Sequence, residues 1–142
     1  MDQLTGKPRL TEAAESLFRQ IHPKFFVPGT ISSQAFRPGT EDEGMLSVSR
    51  GSLTTAKEAH ALYTGKKGRP SDGVVDLAVQ DFADQQLSVY EDPETAPVVD
   101  PAHALVDFSA LTKTEVKTVA TRLRDKAILK PLAFDPRKKL EE

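Results

Sequence analysis

The apolar run over residues 73–79 constrains the fold more than any other part of the sequence. It reads Gly-Val-Val-Asp-Leu-Ala-Val, with a single charged side chain. A short, nearly continuous apolar run is typical of a strand that is buried on both faces. The run therefore predicts a sheet against which other elements pack. A chain of 142 residues has the usual size of one domain and can bury such a core without disulfides.

The segments before this run predict a helix and a hairpin. Apolar residues at i, i+3, i+4 and i+7, namely Ala14, Leu17, Phe18 and Ile21, predict a helix over residues 11–21. Pro28-Gly29 suits the centre of a type II turn. Strands are predicted over residues 30–36 and 45–49, and we expect them to pair across the loop that joins them.

Two capping boxes predict the starts of two further helices. Thr55 with Glu58 begins one, and Thr112 with Glu115 begins the last helix of the chain. A short helical turn capped by Asp81 and strands over residues 88–90 and 104–108 complete the element order. The buried stripe of the last helix is predicted to consist of Val116, Val119, Ala120, Leu123 and Ala127.

These elements predict one α+β domain over residues 11–134. We expect a single mixed or antiparallel sheet of about five short strands with two to three packed helices. Residues 1–10 are predicted to be a flexible N-terminus, and residues 135–142 a frayed tail.

Charge is distributed unevenly along the chain, although the net charge is only -2. No Lys or Arg occurs between Arg69 and Lys113, whereas the segment after this acidic window is basic. The two segments either neutralise each other or leave an acidic face that binds a partner protein with a basic surface. The residues predicted to bind that partner are Asp72, Asp76, Asp81, Asp84, Glu91, Asp92 and Glu94.

Composition also narrows the functional classes. The absence of cysteine excludes disulfides, thiolate zinc sites and cysteine nucleophiles. His22, His60 and His103 are too widely spaced to suggest a metal site, so neither metal nor cofactor is expected. A pI of about 5.9 makes nucleic acid an unlikely partner. Without a signal peptide or an apolar run long enough for a bilayer, the chain is predicted to be soluble and cytoplasmic.

Residues 22–50 hold the polar groups that are most suggestive of catalysis. On a strand, Ser32 and Gln34 point the same way and Arg37 follows, which would suit binding of an anion or nucleotide. Arg50 and His22 complete this candidate catalytic set. The structural alternative is a polar edge strand with turn residues, with His22 capping a helix end. His103 and Asp107 share one strand face by parity, but no nucleophile accompanies them.

Two resemblances accompany these residues. The pattern Ile21-His22-Pro23, SSQAFRP at 32–38, LSV at 46–48 and HALVDFS at 103–109 resembles a family of small, uncharacterised, stand-alone bacterial proteins. It covers residues 17 to about 129 and implies no activity. The chain is also weakly similar to RES-type members of the ADP-ribosyl transferase superfamily. That resemblance implies functional roles for Arg19 and Glu58, although Arg19 falls within the predicted first helix.

The sequence thus favours a non-enzymatic bacterial protein-interaction domain with an acidic docking face. An immunity protein, an antitoxin or an accessory subunit would fit this description. The alternative is a small enzyme that acts on a nucleotide or NAD-like substrate around the candidate catalytic set.

Overall fold

The computed structural model describes residues 7–39 and 43–137. Its strands are β1 Ser16–Ile21, β2 Phe26–Val27, β3 Thr30–Ile31, β4 Met45–Arg50, β5 Gly73–Ala78, β6 Ser88–Glu91 and β7 His103–Asp107. Its α-helices are α1 Ala56–Ala61, α2 Val79–Ala83 and α3 Lys113–Ala127. Two 3-10 turns, Pro23–Phe25 and Ser33–Phe36, and a π-helical turn, Leu62–Lys66, complete the elements.

Five strands form one antiparallel sheet in the order β5-β1-β4-β7-β6, and β2 pairs with β3 in a separate hairpin. The predicted α+β class with about five short strands is therefore confirmed. The capping box of α3 is also present, because Glu115 N donates to Thr112 Oγ1 and Thr112 N donates to Glu115 Oε1.

One face of the sheet carries the main core. The register places Leu17 opposite Leu77, and Val106 lies between Leu46 and Val89. These side chains, which alternate along their strands, pack against α3 and the Ser33–Phe36 turn. We call this side the α3 face. The predicted stripe of the last helix lies on it, with all its members buried except the half-buried Val116.

The opposite face is covered in part by α1, and we call it the α1 face. Val74 alternates with the core residues of β5 and is completely buried on this side. Ser71 Oγ donates to Gln20 Oε1, and the Ser71 carbonyl lies 2.9 Å from His60 Nε2 on α1. Burial of β5 on both faces, predicted from residues 73–79, is therefore confirmed.

The helix predicted over residues 11–21 is wrong, because residues 16–21 form the strand β1 and residues 11–15 are not helical. Leu17 and Ile21 satisfy a helical spacing, but they equally satisfy the two-residue period of a strand. Ala14, which would complete the helical stripe, is exposed. β1 is hydrogen-bonded to strands on both sides, so tertiary pairing decides a pattern that is locally ambiguous.

The strand predicted over residues 30–36 is mostly a turn, and the hairpin with residues 45–49 does not form. β3 ends at Ile31, and Ser32 caps the 3-10 turn Ser33–Phe36 through its hydroxyl. β4 pairs instead with β1 and β7. The type II turn is confirmed in the β2–β3 hairpin, where Gly29 has a φ of 79°.

Segments near the two termini cover the outer edges of the sheet. Leu10 N donates to Val89 O, and Glu91 N donates to Pro8 O, so residues 8–10 pair with β6. At the other edge, Phe134 forms a β-bridge with Val74. Residues 1–6, 40–42 and 138–142 lie outside the described residues. Among the helices that the structure describes, none is both long and apolar enough to span a bilayer.

Candidate functional site

The candidate catalytic residues of the predicted polar rim serve as local caps. His22 Nδ1 accepts a hydrogen bond of 3.0 Å from Lys24 N, and Ser32 Oγ accepts one of 3.2 Å from Gln34 N. Each therefore caps a 3-10 turn. Gln34 is exposed and makes no side-chain hydrogen bond within the described part of the chain. None of these three residues lines the groove described below.

The two arginines of that set lie in separate surroundings. Arg37 is half-buried, and its Nε is shielded from solvent without a hydrogen-bond acceptor among the described residues. Glu41 and Asp42, two carboxylates close to Arg37 in the sequence, lie outside those residues. Arg50 instead donates from Nε and Nη2 to the two carboxylate oxygens of Glu15.

Glu15 is a buried carboxylate just before β1, held by Arg50 at the end of β4 and by Ser52, whose Oγ lies 2.6 Å from Glu15 Oε2. Burial alone would raise the pKa of the Glu15 carboxyl. The hydrogen bonds from Arg50 and Ser52 outweigh that effect and hold this pKa below its ordinary value. Arg50 thus makes a bidentate ion pair with Glu15.

The residues implied by the ADP-ribosyl transferase resemblance lie on opposite sides of the sheet. Arg19 lies on β1, a strand rather than the predicted helix, and donates to Ala35 O and Ser47 O on the α3 face. Glu58 lies on α1, which covers the other face, and it is exposed. A single substrate therefore cannot contact both side chains.

Most carboxylates of the acidic window already have a cation close to them. Five of the seven predicted partner-binding residues lie within 4 Å of a lysine or arginine nitrogen: Asp76 with Lys130, Asp81 with Lys126, Glu91 with Arg50, Asp92 with Lys7, and Glu94 with Lys67. Only the first two pairs use the basic C-terminal segment. Asp72 and Asp84 have no cation within 4 Å in the described ranges, and Asp84 accepts a hydrogen bond from Gln80.

A polar cluster, which we call the His103 cluster, gathers His103, Asp92, Glu94, Asp100, Lys67 and Lys7. Lys67 Nζ donates to Asp100 Oδ2 at 2.6 Å and to Glu94 Oε1 at 3.0 Å. Burial alone would lower the pKa of Lys67, but these hydrogen bonds outweigh it and raise the pKa above its ordinary value. Lys67 therefore stays charged and acts as an anchor rather than as a base.

Sequence patterns gave little sign of this cluster. The turn around Lys67 reads as an exposed basic turn, yet the Lys67 side chain points inward. His103 shares a strand face with Asp107, as its parity predicts, but its contact is with Asp92 at 2.9 Å, whereas Asp107 accepts from Ser109. One sequence feature could have indicated the cluster. His103 directly precedes a predicted strand, and the proline-rich loop just before it carries three carboxylates.

A groove of about 580 Å³ opens between the β2–β3 hairpin, the end of α3 and residues 130–137. Its walls are mostly apolar, and two cations lie among them, Lys130 and Arg137. Gly73 permits this packing, because a Cβ there would lie 2.9 Å from Leu132 Cδ1 and 3.0 Å from Phe26 Cζ. The other lining side chains include Val27, Ile31, Val75, Ala127 and Ile128.

Large apolar side chains are exposed around this groove. Val27 is 40% exposed and Ile128 is 44% exposed, and the adjacent Leu129 is 77% exposed. The Arg137 guanidinium lies 4.3 Å from the Phe26 ring centroid. Contiguous exposed apolar groups with polar neighbours are typical of protein-binding surfaces.

Comparisons with protein-family models, curated proteins and solved structures give no significant match to this chain.

Proposed function

We propose that this chain is a protein-interaction module that binds an apolar, carboxylate-bearing segment of a partner protein in the groove beside α3. The observation that carries the proposal is the exposure of Val27, Ile128 and Leu129 around an apolar groove. Burying such side chains contributes about 25 cal/mol for each Å² of apolar surface removed from water.

The charge of the groove determines the chemistry of the partner segment. Lys130 and Arg137 are both about half-exposed, and Lys130 meets Asp76 only at 3.7 Å. A loose, exposed pair of this kind contributes little stability, so Lys130 can exchange it for a partner carboxylate at little cost. An apolar side chain flanked by Asp or Glu would therefore complement the groove.

This groove supports the interaction role better than the acidic window does. Asp92 and Glu94 of the window are held by lysines of the same chain at 2.8 Å and 3.0 Å, whereas the groove's apolar side chains are open to solvent. In the candidate catalytic set, Ser32 and His22 cap turns and Arg50 pairs with Glu15, so these contacts give no comparable support to an enzyme. A cytoplasmic bacterial immunity protein, antitoxin or accessory subunit is the class of protein to which this proposal applies.

The test places a photo-crosslinking amino acid at position 129 and, as a matched control, at position 53. Leu53 is also exposed, at 53%, but does not line the groove. Cross-linked peptides recovered from the native host should map position 129 onto a partner segment with Leu, Ile or Phe beside Asp or Glu. Position 53 should not select that segment.

Binding to the purified partner then measures the contribution of each surface. Ile128→Glu combined with Leu129→Glu should weaken the Kd at least tenfold, because it places carboxylates where the partner's apolar groups bind. Leu53→Glu, and Asp81→Lys combined with Asp84→Lys, should change it less than about twofold. Equal binding by the groove variant, or capture of no partner by the unaltered chain, would overturn the proposal. Loss of binding only in the variant that combines Asp81→Lys and Asp84→Lys would locate the docking face on the acidic window.

A further inference from the structure

Three potential metal ligands converge within the His103 cluster. Asp92 and Glu94 lie in the loop after β6, and His103 begins β7 on the facing strand. One ligand atom from each of these residues lies within 4.8 Å of the other two. His103 Nδ1 is 2.9 Å from Asp92 Oδ2 and 3.8 Å from Glu94 Oε2. The imidazole is buried, so its position is fixed by packing.

Lysines orient the two carboxylates toward that imidazole. Lys7 Nζ lies 2.8 Å from Asp92 Oδ1, and Lys67 Nζ lies 3.0 Å from Glu94 Oε1. Each lysine binds one oxygen of its carboxylate and leaves the other oxygen facing His103. Outer contacts that fix the orientation of ligand side chains are a regular feature of metal sites in proteins.

Nδ1 of the third ligand, His103, faces two oxygen acceptors of Asp92. His103 Nδ1 lies 3.1 Å from the Asp92 carbonyl oxygen as well as 2.9 Å from the Asp92 carboxylate. A metal ion at this point would be bound by the unprotonated Nδ1 and by the carboxylate oxygens of Asp92 and Glu94 that face it.

We propose that Asp92, Glu94 and His103 form a binding site for a divalent transition-metal ion of the Zn²⁺ class. One imidazole and two carboxylates supply a mixed nitrogen and oxygen ligand set of the kind that such ions bind. Ca²⁺ requires six to eight oxygen ligands, more than these side chains offer. The site shares no residue with the groove, so it is independent of the proposed function.

Zinc binding to the full chain, freed of metal with a chelator, tests the site. Isothermal titration calorimetry with ZnCl₂ should show one ion per chain, and Zn²⁺ should raise the melting temperature. An excess of CaCl₂ or MgCl₂ should neither compete with Zn²⁺ nor stabilise the chain. His103→Ala and Glu94→Gln should each weaken zinc binding at least tenfold.

Matched variants separate this site from adventitious binding. His22→Ala and His60→Ala remove the other two histidines and should leave the zinc affinity unchanged. Glu94 is more exposed than His103, so Glu94→Gln keeps the test valid if His103→Ala fails to fold. A cobalt-loaded chain should show an absorption spectrum that is lost in Glu94→Gln. Absence of zinc binding, unchanged binding by Glu94→Gln, or loss of binding in His22→Ala or His60→Ala would overturn the proposal.

Discussion

At the scale of single residues, the Glu15–Arg50 pair shows how this chain uses a buried charge. The carboxylate accepts two hydrogen bonds from one guanidinium and a third from Ser52. A bidentate pair of this kind fixes geometry as well as charge. The ion pair ties the segment before β1 to the end of β4, so its role is structural.

Glu15→Gln should destabilise the chain at pH 7 and have little effect in acid. The pKa of Glu15 is lowered in the folded chain, so its stabilising contribution is present above the ordinary value of 4.5 and is lost as pH falls through the folded pKa. We expect a loss of about 2 kcal/mol at pH 7. Urea unfolding at pH 7 and pH 3 measures the difference in unfolding free energy between Glu15→Gln and the unaltered chain, with the exposed Glu12→Gln as control. A difference of equal size at both pH values would contradict this account.

At the scale of elements, α3 is the helix whose packing follows most directly from its own residues. Its capping box determines where it begins, and its buried stripe determines which side faces the sheet. Leu123 is buried in the same core cluster as Val75 and Leu77 of β5. The stripe therefore joins the helix to the edge strand of the sheet.

Leu123→Ala should cost about 2–5 kcal/mol of unfolding free energy, because it leaves a cavity in a packed core. Denaturant unfolding of the two chains measures the difference. Leu129→Ala, an exposed leucine just beyond the same helix, is the matched control and should change stability by less than about 0.5 kcal/mol. A similarly small loss for Leu123→Ala would mean that α3 contributes little to the core.

At the scale of the whole molecule, segments near the termini close the two edges of the sheet. Exposed strand edges invite pairing with other chains, and proteins commonly cover them. On β5, the carbonyl of Val74 accepts a hydrogen bond from Ala133 N, and Val74 N donates to Phe134 O. Residues 8–10 cover the edge of β6 in the same way. Phe134 also packs on the His60 ring, with centroids 5.0 Å apart.

A chain ending at Pro131 should self-associate, because it lacks the residues that pair with β5. Size-exclusion chromatography with light scattering should show oligomers whose fraction rises with concentration. A chain ending at Arg137 keeps Ala133 and Phe134 and should behave as the full chain does. A truncated chain with the same mass distribution as the full chain would show that this edge needs no cover.

The candidate sites could be predicted only in part. The sequence indicated the charge asymmetry, but not that Lys7, Arg50 and Lys67 would neutralise much of the acidic window from outside the basic segment. Ser32 and His22 each had a catalytic and a structural interpretation in the sequence, and only the structure shows that both accept hydrogen bonds from nearby backbone N–H groups. The His103 cluster joins residues from three parts of the chain, which no local spacing reveals.

The sequence by itself determined the α+β class, the buried strand β5, the turn at Gly29 and the start of α3. Each depends on local physics: an apolar run, a positive φ, or a cap that satisfies the first N–H groups of a helix. Only the tertiary structure decided that residues 16–21 form a strand and that β4 pairs with β1 and β7. Leu17 and Ile21 fit either period, so the hydrogen bonds of neighbouring strands, which lie far away in sequence, selected the conformation.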